Sequence, residues 1–266
     1  MKKYWHVIGI GIQNNLTYRV NYLTRTLFSF IPLFAMLSLW RTIYAGQGGA
    51  ISGYTLAQMI SYYLLVAVVD VLTAVNEDDW QIAADIREGN ISQFLLKPVD
   101  YLWFRLSLFF SGRIAFMAVA VVPLTIFIVC FARYFVLPAN GTVCAAFLIS
   151  LVLTALLQFF ISYAMAMLAF WVLEVSTFIF ILFAFEYLAS GHMFPLDILP
   201  PLLKHALFFT PFPYQLYFPI GIYMGRVTGT ELWHGLLVQA GWVLLAYLFA
   251  RFMWHRGVRH YEAFGG

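Results

Sequence analysis

The sequence predicts an all-α integral membrane protein with six transmembrane helices, and three observations support this fold class. Hydrophobic residues make up 63% of the 266 residues and charged residues only 10%, whereas soluble domains are about 25% charged. The apolar residues lie in long stretches, most of them near the roughly 20 residues that a helix needs to cross a bilayer. No connection between the stretches has room for a soluble domain of more than about 40 residues, so we expect residues 1–266 to form a single transmembrane domain. The predicted spans are 26–45, 54–76, 114–132, 142–170, 175–190 and 232–250.

Residues 1–25 predict an amphipathic helix that lies in the membrane interface before the first span. Apolar residues recur there at helical spacing, and the opposite face carries Lys3 and Asn14. A helix with one apolar and one polar face is typical of interfacial segments. Two glycines, Gly9 and Gly11, are poor helix formers and weaken this prediction. The apolar face consists of Trp5, Ile8, Ile12 and Leu16.

The placement of positive charge predicts the orientation of the chain, although the net charge is only +3. Cytoplasmic connections carry an excess of lysine and arginine. The segments before the first span, between the second and third, and after the sixth hold most of these residues. They share one side if both termini lie on it, so we expect both termini in the cytoplasm, with the chain in the inner membrane of a bacterium. The residues on this side are Lys2, Lys3, Arg19, Arg25, Arg87, Lys97, Arg105, Arg113, Arg251, Arg256 and Arg259.

The connection between the second and third spans, residues 77–106, has the most specific pattern in the chain. Acidic and apolar residues alternate up to Gly89, which can end a helix as its C-terminal cap. A second short apolar stripe follows and ends at Pro98. Two amphipathic helices with a glycine joint suit docking into a groove of a protein partner. The alternative is a solvated loop that contacts nothing.

This connection resembles a family signature. Residues 87–91 read Arg-Glu-Gly-Asn-Ile, and residues 95–99 read Leu-Leu-Lys-Pro-Val. The pattern is similar to the arginine, glutamate, glycine, threonine, leucine … leucine, leucine, proline signature of type-2 ABC exporter permeases, which lies between the same two spans. Asn90 departs from the usual threonine. The motif covers about 14 residues, whereas the six-span architecture with an interfacial helix resembles the family over the whole chain.

The resemblance implies a permease subunit that works with cytoplasmic ABC ATPases and a second permease, identical or homologous. It implies that the connection is a coupling helix that receives the motion of the ATPase. ATP and Mg²⁺ would then bind to the ATPase and not to this chain. By resemblance, the coupling residues are Asp85, Arg87, Glu88, Gly89, Phe94 and Leu95.

Residues 191–230, between the fifth and sixth spans, form an unusual predicted outer segment. It holds six of the ten prolines of the chain and is still strongly apolar. Broken backbone at membrane depth is tolerated only where it packs on protein or lines a cavity. We therefore predict re-entrant helices that close the path from outside, with Leu203 and Phe208 as gate residues. An apolar cap in the interface is the alternative.

Acidic residues inside the spans are candidates for a substrate path because burying them in lipid is costly. Asp70 lies in the second span and Glu186 in the fifth, where Phe183 and Tyr187 add aromatic rings. We expect these four residues to line the path, or the carboxylates to form a proton site. The alternatives are carboxylates paired with an arginine, and aromatic rings that only pack on lipid.

Other chemistries find little support in the sequence. The glycine spacing at residues 48–55 resembles a phosphate loop, but Tyr54 replaces the essential lysine. The histidines show no metal-ligand spacing, so we expect no metal and no cofactor on this chain. The basic tail at residues 255–260 indicates a cytoplasmic flank and not a nucleic-acid site.

The function expected from these patterns is that of a permease in an ATP-driven exporter. An amphiphilic or hydrophobic substrate (a drug, lipid or peptide) suits the apolar chain, and alternating access would move it. One alternative is an intramembrane lipid-modifying enzyme built on Glu186, His192, Asp197 and Lys204. A non-ABC channel or structural membrane subunit is the other.

Overall fold

The computed structural model describes residues 2–17, 19–47, 49–75, 78–134, 138 and 140–261. Some positions of the predicted segments, namely Met1, Gly48, Glu77 and residues 262–266, lie outside the described residues. The described part of the chain is helical apart from short connections and one isolated bridge between Ile51 and Tyr54. The predicted all-α class is confirmed.

The helices follow one another with short connections. Four 3-10 turns cover Ala132–Tyr134, Met167–Phe170, Leu196–Ile198 and Phe212–Tyr214. The α-helices of the described residues are α1 (Lys2–Thr17), α2 (Arg19–Gln47), α3 (Leu56–Thr73), α4 (Asp78–Arg87), α5 (Ile91–Leu95), α6 (Tyr101–Cys130), α7 (Gly141–Ala166), α8 (Ser176–Ala189), α9 (Pro201–Phe208), α10 (Tyr217–Tyr223) and α11 (Gly229–His260).

Five helical stretches in the described residues are long and apolar enough to cross a membrane. They lie in α2, α3, α6, α7 with its 3-10 extension, and α11. The predicted fifth span is a helix, α8, but it has only 14 residues. At about 1.5 Å per residue it extends roughly 21 Å, less than the roughly 30 Å of a hydrocarbon core. Five of the six predicted spans are thus supported by length and composition.

Helix α6 begins earlier than the third span that the sequence predicts. Asp100 caps it, since its carboxylate accepts from the Trp103 N–H at 3.2 Å. The helix then runs on through Arg105 and Arg113, both about 5% exposed. These arginines interrupt the apolar run in the sequence, but they are buried against neighbouring helices. Residues 101–106 therefore belong to α6 and not to the connection in which they are predicted.

Helix α1 packs along α6, with Gly11 at a point of close approach. A side chain at Gly11 would overlap Ser111, so the two helices can approach closely only with glycine at this position. Trp5, on the predicted apolar face, is 72% exposed, and Leu16 is also exposed. The ends of that face are therefore turned away from the protein.

Two hydrophobic clusters hold the bundle together at its two ends. One joins α2, α3, α7 and α11 to the buried helix α10. The other joins α4 and α5 to the first turns of α6, the end of α7 and the last turns of α11. Helix α3 belongs to the first cluster along most of its length, and α7 and α11 contribute to both clusters.

The 191–230 segment is inserted among the helices. The Tyr214 carbonyl accepts from Gln239 at 2.8 Å and from Thr154 at 3.3 Å. Gln239 follows the start of α11 by ten residues, a distance of about 15 Å along the helix. Nearer the start of the segment, the Gly191 carbonyl accepts from the Tyr62 hydroxyl at 2.7 Å. The backbone of the segment therefore reaches well below the ends of α3 and α11.

The two cysteines are free thiols. Cys130 is exposed at the end of α6, and Cys144 is half-buried in the first turn of α7. The structure therefore has two separate thiols and no disulfide between them.

Candidate functional site

A cavity of about 630 Å³ lies between α2, α3, α6, α7 and α8. Ligand pockets in proteins usually have about 300–1,000 Å³. Its lining includes all four residues that the sequence predicts for the substrate path, namely Asp70, Phe183, Glu186 and Tyr187. The structure thus brings together residues that are more than 100 positions apart in the chain. Their role in transport stays a prediction.

A histidine–aspartate pair lies in the lining of the cavity. The His192 Nε2 lies 2.9 Å from the Asp70 carboxylate, and its Nδ1 lies 2.8 Å from the Ser190 hydroxyl. The ring of Tyr187 stacks on the imidazole with centroids 5.2 Å apart. An arginine partner is the alternative that the sequence leaves open for the carboxylates of the spans. For Asp70 the partner is instead a histidine from the 191–230 segment.

Gly191 makes this pairing possible. Its φ of +96° lies in a region that side chains with a Cβ rarely adopt. An added Cβ would also lie 2.6 Å from the Tyr62 hydroxyl oxygen. The tight turn follows directly on α8 and sends His192 back toward α3. The Tyr63 hydroxyl donates to the Met193 carbonyl at 2.6 Å and holds the chain beyond the turn.

The environment shifts the pKa of His192. Burial disfavours the charged imidazole, but the Asp70 carboxylate, through its charge and its hydrogen bond, and the charge of Glu186 outweigh burial. The pKa of His192 is therefore raised above its usual 6.5. Proton binding to His192 is thus linked to the integrity of the pair with Asp70.

A second polar cluster centres on Asp197, at the start of the same segment. Its carboxylate accepts hydrogen bonds from Tyr54 at 2.7 Å, Tyr217 at 2.8 Å and Lys204 at 2.6 Å. Burial alone would raise the pKa of Asp197, but the donors outweigh it and hold the pKa below its usual range. Arg226 completes the cluster, with its guanidinium 3.4 Å from the Tyr54 ring centroid. The cluster ties the 191–230 segment to the loop before α3.

The residues considered for a lipid-modifying enzyme lie in two separate hydrogen-bonded groups. His192 binds Asp70, whereas Asp197 binds Lys204. In the part of the chain that the structure describes, no three histidine, cysteine, aspartate or glutamate side chains are grouped as metal ligands. The arrangement does not assemble the catalytic site that this alternative requires.

The two predicted gate residues differ in their surroundings. Phe208 packs edge-on against Tyr214 and Tyr217, with ring centroids 5.9 and 5.8 Å apart. Leu203 is 52% exposed and points away from the helices. Phe208 is therefore part of the packed segment, and Leu203 lies on its surface.

The helices α4 and α5 form an elbow at the other end of the bundle, with Gly89 at its joint. Gly89 has a φ of +78°, as expected for the residue that ends a helix. Arg87, Glu88 and Leu95 are exposed on the elbow. Leu96, which is not among the predicted coupling residues, directly follows α5 and is 88% exposed.

Two of the predicted coupling residues face the bundle instead of the surface. The Asp85 carboxylate accepts from the Tyr101 hydroxyl at 2.7 Å and lies 3.8 Å from the Arg105 guanidinium. Phe94 is half-buried, with the rings of Tyr101 and Phe104 both 5.0 Å away. These side chains fix the elbow to the start of α6.

The end of α11 also holds the elbow. The Tyr261 hydroxyl lies 2.9 Å from the Ser92 hydroxyl and donates to the Gly89 carbonyl at 3.2 Å. Tyr261 follows the elbow by about 170 residues, so the pattern around residues 77–106 gives no indication of this contact. The joint of the elbow is therefore bound directly to the last helix.

Comparison with known proteins identifies the family. A family model described as ABC-2 family transporter protein matches residues 30–265, which is most of the chain. The chain belongs to the ABC-2 transporter family. No curated protein and no solved structure gives a significant match. The resemblance that residues 87–99 suggested is thus confirmed at the level of the family.

Membership of the ABC-2 family explains the general character of the molecule. An ABC-2 protein is the membrane component of an ABC transporter and is not itself catalytic. The family implies an ATPase partner, and the long apolar helices agree with an integral membrane protein. The cavity and the elbow are therefore candidate sites of an ABC-2 permease.

Proposed function

We propose that this ABC-2 protein is the permease of an ATP-driven exporter and moves an amphiphilic or hydrophobic substrate by alternating access. The observation that carries the proposal is the cavity of about 630 Å³ inside the bundle. It is lined mainly by apolar and aromatic side chains with a few polar groups, as ligand sites usually are. Such a cavity suits a substrate that enters from a membrane.

The proposal includes six spans with both termini in the cytoplasm of a bacterial cell. The short helix α8 would cross only part of the bilayer, and the 191–230 segment would complete the crossing by folding back beside it. The contacts of Tyr214 with Gln239 and Thr154, deep along α11 and α7, support this arrangement. The segment would then be re-entrant and close the cavity from outside. Phe208 is the better gate candidate, because Leu203 faces away.

The elbow of α4 and α5 is the proposed coupling element. Arg87, Glu88 and Leu95 would contact the ATPase, since they are exposed. Asp85, Phe94 and Gly89 would pass the motion on, since they join the elbow to α6 and α11. ATP and Mg²⁺ would bind to the ATPase, and a second permease would complete the path.

Crosslinking tests the proposal. Photoreactive residues at Arg87, Glu88 and Leu95 should crosslink to the ATPase in the purified complex, and Glu88→Arg should lower the amount of ATPase that copurifies or uncouple its activity. Glu231→Arg is the matched control, because Glu231 is also exposed but lies at the start of α11. If no crosslink from the elbow reaches an ATPase, the coupling assignment is wrong.

A further inference from the structure

One glutamine of α7 is buried at the cavity without a hydrogen-bond partner for its side-chain carbonyl. Gln158 is 6% exposed and belongs to the cavity lining. Its Oε1 is buried and accepts no hydrogen bond from the described residues. The large majority of buried polar side-chain atoms in proteins are hydrogen-bonded, so each exception needs an explanation. Among the buried side-chain atoms that have no partner in the described part of the chain, this oxygen is the one in the cavity lining.

Gln158 belongs to a row of polar side chains that are spaced four residues apart and share one face of α7. The first two, Ser150 and Thr154, are fully buried. Both bind Gln239 of α11: the Ser150 hydroxyl donates to its Oε1 at 2.9 Å, and its Nε2 donates to Thr154 at 3.1 Å. The last two, Gln158 and Ser162, line the cavity. The first half of the row thus binds another helix, whereas the second half borders the space that a ligand would occupy.

The charged side chains of the lining already interact within the chain. The Asp70 carboxylate lies 2.9 Å from the His192 imidazole, and Glu186 also has a partner. Neither lysine nor arginine is among the described residues of the lining. A ligand therefore needs no net charge to satisfy this lining, and the amide of Gln158 is the group whose oxygen still lacks a bond.

The amide of Gln158 selects for a ligand with a hydrogen-bond donor. A glutamine side chain accepts through its oxygen and donates through its NH₂ group, so a secondary amide can pair with it through an N–H and a C=O. A ligand without the N–H would displace water from the cavity and leave Oε1 unpaired, and sites built on a hydrogen bond reject such analogues. Most of the remaining lining is apolar or aromatic, which suits an apolar body around the amide.

We propose that the cavity binds an uncharged apolar molecule that carries an amide group, with the ligand N–H donating to the Oε1 of Gln158. The apolar body of the ligand packs on the aromatic side chains of α8, where Phe180 and Phe183 are 69% and 63% exposed in the chain alone. This inference rests on the proposed function, because it names the substrate class of the cavity and identifies Gln158 as its specificity-determining residue.

Two probes that differ in a single group test the inference. Tritiated N-hexylbenzamide carries the N–H, and hexyl benzoate has an oxygen in its place with nearly the same shape. The purified chain in lipid nanodiscs, with its ATPase where that copurifies, is titrated with the amide, and the ester is the competitor. Empty nanodiscs correct for partition into lipid. The amide should bind saturably and about tenfold more tightly than the ester.

Gln158→Leu separates recognition of the amide from integrity of the cavity. This variant loses the acceptor and keeps an apolar side chain, so it should bind the two probes equally and hexyl benzoate at least as tightly as the unmodified chain does. Gln158→Met gives the same test if the leucine variant does not fold. Gln13→Leu is the matched control, because Gln13 is an exposed glutamine of α1 outside the cavity, and it should keep the preference for the amide.

Three results would each overturn the inference and leave the permease assignment standing. They are equal affinity of the unmodified chain for the two probes, a preference for the amide that persists in Gln158→Leu or Gln158→Met, and absence of saturable amide binding while the ATPase still copurifies. Amide-selective binding that depends on Gln158, without crosslinks from the elbow to an ATPase, would do the reverse.

Discussion

The imidazole of His192 lies 2.9 Å from the carboxylate of Asp70 and joins the 191–230 segment to the far half of α3. Asp70 follows the start of α3 by 14 residues, about 21 Å along the helix. The 191–230 segment is thus attached within the length of α3 and not only at the start of that helix. The pair therefore joins α3 to the 191–230 segment within the lining of the cavity.

The pair should make stability depend on pH. Because the folded-state pKa of His192 lies above 6.5, its stabilisation is complete below about pH 6.5 and is lost as the pH rises through the folded-state pKa. Thermal unfolding of the detergent-solubilised protein should therefore show a midpoint that falls as the pH rises above about 6.5. Asp70→Asn should flatten this dependence. An equal slope in the variant would show that other groups cause it.

Asp197 should contribute more to stability than its individual partners. Removing a buried charge that several donors satisfy costs about 3–5 kcal/mol, so Asp197→Ala should unfold at a clearly lower temperature. Lys204→Ala should cost about 1 kcal/mol, since Tyr54 and Tyr217 still donate to the carboxylate. Because the pKa of Asp197 is lowered, its contribution is present above about pH 3.8 and is lost as the pH falls through the folded-state pKa. Equal melting temperatures for the two variants would contradict this ranking.

Gly191→Ala should prevent correct folding of the segment after α8. The left-handed conformation costs about 1–2 kcal/mol for a residue with a Cβ, and the added methyl group would press on the Tyr62 hydroxyl. Gly46→Ala is the control, because Gly46 lies in α2 with nothing within 4 Å of an added Cβ. Size-exclusion profiles in detergent should show aggregation of the first variant and a normal peak for the second. A monodisperse Gly191→Ala protein with unchanged melting would show that the turn tolerates a side chain.

Leu96 should belong to the surface that contacts the ATPase. A leucine that is 88% exposed beside the elbow is an apolar group without cover in the isolated chain. Leu96→Asp should reduce copurification of the ATPase by at least about tenfold, a loss of about 1.4 kcal/mol, and Leu96→Met should keep it. Quantitative pull-down with the tagged permease measures both. Undiminished binding in Leu96→Asp would place the contact elsewhere on the chain.

Much of the helical framework could be predicted from hydropathy, because apolar length is a direct requirement of the bilayer. The predicted start of a span is wrong where polar residues of the helix are buried by protein instead of exposed to water. Arg105 and Arg113 interrupt the apolar pattern, yet α6 continues through both. Helix α8 is short because Gly191 turns the chain soon after its end, and a pattern of apolar residues does not show that turn.

The candidate site was only partly visible in the sequence. Asp70 and Glu186 stand out because acidic residues are rare in apolar helices. The partner of Asp70 does not, since His192 is 122 residues away and only the folded chain brings the two together. Asp85 is a predicted coupling residue by resemblance to a linear motif, and such a motif does not show that its carboxylate accepts a hydrogen bond from Tyr101.

The hydroxyl of Tyr261 is one of two hydrogen-bonding points that connect α11 to distant parts of the chain. The 32 residues of this helix extend about 48 Å, with Tyr261 bound to Gly89 just beyond one end and Gln239 bound to Tyr214 on the way to the other. Because a long helix is stiff, a displacement of α11 at one of these two contacts also strains the other contact. We expect a push on the elbow to be felt at the 191–230 segment through this helix, without any movement of the cavity walls in between.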